Sequence, residues 1–448
     1  GDAYYRCAQF AALFRKRNDV GDDATRYRAA IESFIKAEEA CRKTNIFIHD
    51  ICRRLSPKHD SNVMPGLLFD VLHGAKREIQ RILGRCPSYD ELPCYLGPGA
   101  TTQVVRKLAN ARVKLGQKFA CSESLLPDIK EILESMPDFT FRDFSGGESA
   151  SVEVLLQDSR LSFVPKNYKT FRSIAVEPWL NSFFQLGIGR AMTQRLRSFG
   201  LDLSSQLPNQ LAAREGSISG RLATIDLSSA SDSLSLELVR YLLPDDWWEK
   251  IVHTRSSHMV WRSIRLKLEK VSSMGNGFTF PLQSLVFYTL TRAVCKTLEI
   301  DYSDVRAYGD DIIVPTPAYE RTAAILALCG FTVNSEKSFH EGPFRESCGS
   351  DYWQGIDVRP IFLDHRPNYF DLFAFHNGLM RKHRPELAAI VKRFIPEPLA
   401  LYGPDGYGDG HLIGYPFAPC FKRKHLARGW GGYTFDTYSR LPRRYTRP

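Results

Sequence analysis

Tyr308-Gly309-Asp310-Asp311 is the stretch of this 448-residue sequence whose residue types point most directly to chemistry. Two short apolar runs, Val305-Arg306-Ala307-Tyr308 and Ile312-Ile313-Val314, flank a Gly-Asp dipeptide, a pattern that predicts a tight hairpin. Two adjacent carboxylates at such a tip repel, and neither can be buried without a partner. A divalent cation relieves both problems; hard Mg²⁺ prefers carboxylate oxygen and keeps positions open for phosphate. Asp226 ends the run Leu222-Ala223-Thr224-Ile225, a strand able to pair beside the hairpin and bring a third carboxylate to the same sheet edge. Three such groups suit two-metal phosphoryl transfer, in which one ion activates a hydroxyl and the other steadies a triphosphate and its leaving pyrophosphate. Negative charge spreads over the phosphoryl oxygens, so cations should stand nearby. Lys166, Lys169 and Arg172, spaced by three, form such a set; in isolation the same segment reads rather as an ordinary solvated basic strand.

The elements that must position these groups follow from periodicity. Ala24 to Arg42 and Leu67 to Leu83 read as helices, and Val164 to Trp179 as extended and basic. A helix is expected from Phe183 to Phe199, and another from Ser233 to Leu243. The alternation of Ile264, Leu266 and Leu268 with Arg265, Lys267 and Glu269 predicts a strand within Val260 to Val271. Gly277 to Cys295 reads as a long buried helix, Glu320 to Cys329 as a further helix, and Gly330 to Val333 as a strand. Strand, helix, hairpin, helix, strand describes an antiparallel sheet with helices on one face, an α+β arrangement. Gly97-Pro98-Gly99-Ala100-Thr101-Thr102 is either a plain turn or a phosphate contact, and is not a Walker pattern.

Composition narrows the class. Sixty Lys and Arg against fifty Asp and Glu give a net charge of +10, a bias toward polyanions that an ordinary basic enzyme also shows. Ten cysteines without a C-x-x-C pair favour free thiols in a reducing compartment over a disulfide framework or zinc site. The sequence has no apolar run of membrane-spanning length, no signal-peptide pattern and no block of low complexity, which predicts a soluble, folded chain without a membrane partner.

Three stretches stand in the order of polymerase motifs A, B and C: Asp226 to Asp232, Ser273-Met274-Gly275-Asn276-Gly277-Phe278-Thr279-Phe280, and Tyr308 to Asp311. The chain resembles the replicase catalytic (beta) subunit of positive-strand RNA bacteriophages, the leviviruses. Val164-Pro165-Lys166-Asn167, Phe184 to Gly189, Gly342 to Gly349 and Pro404 to Gly410 also match. Similarity is strong from about 160 to 430 and weaker before, chiefly at Gly99 to Thr102. The resemblance implies a right hand of fingers, palm and thumb, in which an antiparallel palm sheet is backed by helices. It divides the chain into 1–220 (N-terminal region and fingers), 221–350 (palm, with a fingers insertion near 245–272) and 351–448 (motif E region, thumb and basic C-terminal segment).

The resemblance assigns Asp226, Asp310 and Asp311 to two catalytic Mg²⁺ ions, with Mn²⁺ as a substitute, and Lys166, Lys169 and Arg172 to the incoming triphosphate. Asp232 would sense the ribose 2′-hydroxyl with help from Asn276 and Thr279 in motif B. Lys337 stands where motif D places a general acid for pyrophosphate, the competing reading being an exposed strand-end lysine. Cys348 to Trp353 falls where motif E supports a primer end. Implied partners are RNA template and product, ribonucleoside triphosphates, host elongation factors Tu and Ts and an RNA-binding ribosomal protein, in the cytoplasm of an infected bacterium. The sequence departs from the pattern at Phe280 to Leu285, which lacks the downstream motif B asparagine of many RNA polymerases. It also lacks an initiator Met and stops soon after a basic segment, where phage replicases generally extend further at both ends.

Two other readings compete. A reverse transcriptase shares the Tyr-x-Asp-Asp word, but a second motif A acid, Asp232, favours ribonucleotides. A non-catalytic basic RNA-binding protein would need none of the carboxylates. Tyr407-Gly408-Asp409-Gly410 mimics the catalytic word and reads as a turn. Asp232 has an alternative role as the cap of a helix starting near Ser233. The C-terminal cations Lys422, Arg423, Lys424, Arg428, Arg440, Arg443, Arg444 and Arg447, interleaved with Trp430, Tyr433, Phe435 and Tyr438, form either an RNA-contacting surface or a solvated tail.

Overall fold

The computed structural model describes residues 2–17, 19, 21–54, 66–129, 131–132, 154–363, 365–417 and 434–439. The basic C-terminal residues named above, and Trp430 and Tyr433, lie outside them. The chain divides into two compact units. One comprises Gly1–Asp22, Lys166–Tyr168 and Arg359–Pro448; the other comprises Asp23–Pro165 and Lys169–Val358.

In the larger unit the strands Leu222–Ile225, Asp311–Pro315 and Arg306–Tyr308 form an antiparallel sheet with Asp311–Pro315 at its centre. Leu222–Ile225 and Ile312–Val314 are buried without a break, so the sheet is covered on both faces. The helix Thr279–Thr297 packs against this sheet and against Gly66–Leu83, with fifteen of its nineteen residues buried. Such all-round burial explains why its sequence reads apolar on every face. The hairpin, the flanking strand and this helix match the antiparallel, helix-backed sheet that the sequence predicts.

A second sheet runs in the order Phe171–Val176, Ser159–Pro165, His258–Trp261, Ile264–Lys267. The stretch expected as one strand within Val260 to Val271 is thus part of a hairpin. Its strand His258–Trp261 joins Ser159–Pro165 in parallel, so the 245–272 segment completes a sheet begun a hundred residues earlier. The helix expected from Ser233 is shorter, Leu236–Leu242, with Ser235 at its N-cap position; Asp232 closes a 3₁₀ turn, Ala230–Asp232, and does not cap that helix. The eight cysteines Cys7, Cys41, Cys86, Cys94, Cys121, Cys295, Cys329 and Cys348 are free.

The smaller unit is built on helices Asp2–Arg15, Tyr369–Arg381 and Pro385–Lys392. Gln9 pairs with the Ile361 backbone in both directions, Nε2 donating to the carbonyl at 2.8 Å and Oε1 accepting from the amide at 2.9 Å. Asp409 accepts from Asn377 Nδ2 at 3.2 Å and pairs with Arg381 Nη1 at 2.9 Å, so the second Tyr-Gly-Asp word builds a turn, as expected. Among the described residues no helix is long and apolar enough to cross a membrane.

Candidate active site

Gly309 makes the hairpin turn with φ of 63°. A side chain there would meet Gln283 Nε2 and the Phe280 ring, so glycine is required by space as well as by conformation. The Gly309 amide donates to Ser284 Oγ at 2.8 Å, which fastens the tip to the buried helix. Asp311 pairs with Tyr308 across the hairpin, and Ile312 pairs with Ile225 on the other side. Continued by one residue, that register sets Asp226 opposite Asp311.

Each carboxylate has its own surroundings. Burial pushes Asp310 above the usual carboxylate range, with the charge of Asp226 adding to the rise; Lys337 and Arg172 pull it back in part. Burial drives Asp311 up to about 6 against the bond it accepts from the Cys348 amide, and the charges of Asp310, Asp226 and Glu346 reinforce the rise. Asp311 Oδ1 takes that amide at 2.9 Å, and its backbone carbonyl accepts from Asn209 Nδ2 at 3.0 Å. Asp226 is clasped by the 334–338 segment: Asn334 Nδ2 donates to Oδ2 at 2.8 Å, and the Asp226 amide donates to Ser338 Oγ at 3.0 Å. Lys337 Nζ lies 3.9 Å from Asp226 Oδ1 and 3.6 Å from Glu346.

The donor chemistry fits hard cations. Asp310 and Asp311 repel one another, and neither belongs to an ion pair among the described residues. The rotamers do not yet form a ligand cage, however: among the described residues no three His, Cys, Asp or Glu side chains are arranged to hold a metal ion. Asp226 and Asp311 are turned to protein donors instead.

The charge of Arg172 acts on Asp310; the residue is exposed on the strand Phe171–Val176. Lys169 is exposed in the turn before that strand, and Lys166 groups with the other compact unit. Asn276 and Thr279 face inward, away from the sugar-reading role the resemblance implies. Asn276 Nδ2 donates to Glu177 Oε1 at 2.7 Å and to Gln185 Oε1 at 3.1 Å, while its Oδ1 accepts from the Ser273 amide. Thr279 Oγ1 donates to the Ser273 carbonyl at 2.8 Å. Both knit the loop, which approaches its neighbours closely through Gly275 and Gly277. Asp232 pairs with buried Lys270 at 2.7 Å.

Sequence reasoning missed Glu177, Lys270 and Gln283. Gln283 accepts from Ser231 Oγ at 3.2 Å and lies against Gly309, so it touches both carboxylate-bearing segments. Its spacing of four from Thr279, one helical turn, was the available signal.

A three-stranded antiparallel sheet that brings three aspartates to one edge, backed by a buried helix and faced by Arg172 and Lys337, defines a nucleotidyl-transferring polymerase. The RNA replicase, beta-chain family matches residues 4–431, and the chain belongs to that family. It is 36% identical to the RNA-directed RNA polymerase subunit beta of Escherichia virus Qbeta over 96% of this chain and 75% of the relative. The corresponding subunit of Enterobacteria phage SP is 38% identical over 86% of this chain and 67% of its own length. Among solved structures, the RNA-dependent RNA polymerase of a human picorbirnavirus covers 87% of this chain and 86% of its own, at 12% identity and a TM-score of 0.46. The chain is an RNA-directed RNA polymerase of the phage replicase kind. Reverse transcription and non-catalytic RNA binding give way to that assignment.

Proposed function

We propose that Asp226, Asp310 and Asp311 hold two divalent cations, Mg²⁺ with Mn²⁺ as a substitute, and that this chain extends RNA on an RNA template at that site. The observation that carries the proposal is the strand register: it sets Asp226 opposite Asp311, with Asp310 in the adjoining turn and Lys337 Nζ 3.9 Å from Asp226. When bound, the ions lower the pKa of an attacking hydroxyl and balance the charge of the triphosphate and leaving pyrophosphate.

The residues around them divide the remaining work. Arg172 and Lys169 neutralise charge on the triphosphate, and Lys166 is added to them on the strength of the resemblance alone. Lys337, held between Asp226 and Glu346, is the proton donor to departing pyrophosphate. Asp232 accepts from the ribose 2′-hydroxyl, the group that distinguishes RNA from DNA. RNA and ribonucleoside triphosphates are then the ligands, in the cytoplasm of a bacterial host. Elongation factors Tu and Ts and an RNA-binding ribosomal protein are partners on the strength of the resemblance alone.

The test is incorporation of labelled ribonucleotides on an RNA template by purified chain, with and without bacterial extract, for the parent and Asp310→Asn. Loss of incorporation by about a hundredfold or more at matched Mg²⁺, with the thermal transition retained, is expected of a lost metal ligand. Incorporation within about tenfold of the parent overturns the assignment.

A further inference from the structure

Lys270 is 0% exposed, and a lysine so placed is costly unless its charge is paired. Its Nζ donates to Asp232 Oδ1 at 2.7 Å, lies 3.1 Å from Glu38 Oε1, and stands 4.3 Å from the centre of the Phe34 ring. Burial pulls the ammonium down, but the two carboxylates more than restore it, and its pKa ends above the ordinary lysine value. Lys270 is therefore a fixed buried cation.

The surroundings tie this cation to the helix Asp23–Arg54. Glu38 Oε2 accepts from the Glu269 amide at 2.7 Å, and Asn45 Nδ2 donates to the Glu269 carbonyl at 2.9 Å. Asn45 Oδ1 accepts from the Glu237 amide at 3.0 Å, and Cys41 Sγ donates to the Asp232 carbonyl at 3.3 Å. One helix thus grips the turn that carries Asp232 and the segment that enters the Ser273 to Phe280 loop. The same turn reaches the hairpin through Ser231, Gln283 and Gly309.

Asp232 itself is divided between two environments. Oδ1 is taken by Lys270, whereas Oδ2 has no partner among the described residues, and the side chain is 18% exposed. Buried ion pairs are poor stabilisers, since apolar replacements of similar volume are often neutral or better. Their best-attested use is to fix one arrangement among several.

We propose that Lys270 is the positioning residue for sugar selection: it occupies Oδ1 of Asp232 and so fixes the carboxylate with Oδ2 alone presented to the ribose 2′-hydroxyl. The proposal rests on the reading of Asp232 given above and adds the group that orients it. A site built to bond a hydroxyl rejects substrates lacking it, but only while the acceptor is held in register.

The experiment compares kcat/KM for ribo- and deoxyribonucleotides, together with thermal unfolding, in Asp232→Ala, Lys270→Met and the double variant. Lys270→Met should lower ribo-over-deoxyribo discrimination by about tenfold or more, as Asp232→Ala does, and the double variant should fall no further than Asp232→Ala alone. Since Lys270→Met strands both carboxylates, the paired change Lys270→Met with Glu38→Gln removes one of the two charges left behind and carries the same expectation. If either Lys270 variant folds and keeps the parent's discrimination while Asp232→Ala loses it, the positioning role is overturned and the reading of Asp232 stands. If Asp232→Ala keeps the discrimination, the reading of Asp232 falls and this proposal falls with it.

Discussion

Asn334 and Asp226 hold one another at two points: the Asn334 amide donates to the Asp226 carbonyl at 2.9 Å, and Asn334 Nδ2 donates to Asp226 Oδ2 at 2.8 Å. The carboxylate is thus oriented by a residue more than a hundred positions away, on the segment that also carries Lys337. Asn334→Ala should keep the fold, at a cost of about 1 kcal/mol for the lost bond. It should also raise the Mg²⁺ concentration needed for half-maximal incorporation, because Asp226 loses its set rotamer. A Mg²⁺ titration identical to the parent's would show that the bond has no part in shaping the ligand.

The pH dependence of the site follows from Asp311. Its pKa in the fold stands at about 6, raised first by burial, so the native state favours the protonated acid. A raised folded pKa contributes stability at pH below the unfolded value, and that contribution is lost as pH rises through about 6. Without divalent cations, the melting temperature contribution of this group should therefore decline from about pH 4 to about pH 6. Added Mg²⁺ should raise the melting temperature most above that range, where the carboxylate is ionised. Asp311→Asn should flatten both trends. An Mg²⁺-induced shift that is equal at pH 5 and pH 8 would contradict the account.

The charge of Arg172 acts on the half-buried Asp310 and lowers its pKa in part. Arg172→Gln should raise the apparent KM for nucleotide or lower kcat, while template affinity changes less. It should also lift the Asp310 pKa further, since one of the two cations opposing the rise is gone. Binding of template RNA that weakens in proportion, with nucleotide kinetics unchanged, would move Arg172 to the RNA path.

The hairpin and its flanking strand were legible because their signals are local: two apolar runs around Gly309-Asp310, and a strand ending on Asp226. The Lys270 bridge was not legible, for a physical reason. Alternation of Ile264 to Glu269 with a period of two says that one face differs from the other, not which face is covered. In the structure Ile264 is 52% exposed, whereas Lys270, just past the strand, is fully buried against a helix contributed by residues more than two hundred positions earlier. The inward turn of Asn276 was hidden in the same way, because its partners Glu177 and Gln185 stand about ninety to a hundred residues away. Motif spacing locates a loop; only the packing around that loop says which of its side chains face the substrate.

Asn276 gives the sharpest test of that distinction. Its amide supplies one of the donors to Glu177, a buried carboxylate whose pKa burial raises and whose bonds from Ser256 and Asn276 lower in part. Asn276→Ala removes that donor without removing the acid, so the buried Glu177 is left further under-satisfied. The expected loss of stability is about 1–3 kcal/mol, read as a lower denaturant midpoint. Raising the pH should enlarge the loss, because the ionised acid is the form that most needs the donor. Discrimination between ribo- and deoxyribonucleotides should stay at the parent's level, since the three Asn276 side-chain bonds all go to protein groups. Should the discrimination collapse while stability holds, Asn276 would regain the sugar-reading role that the family resemblance implies, and the loop would have to turn outward when nucleotide binds.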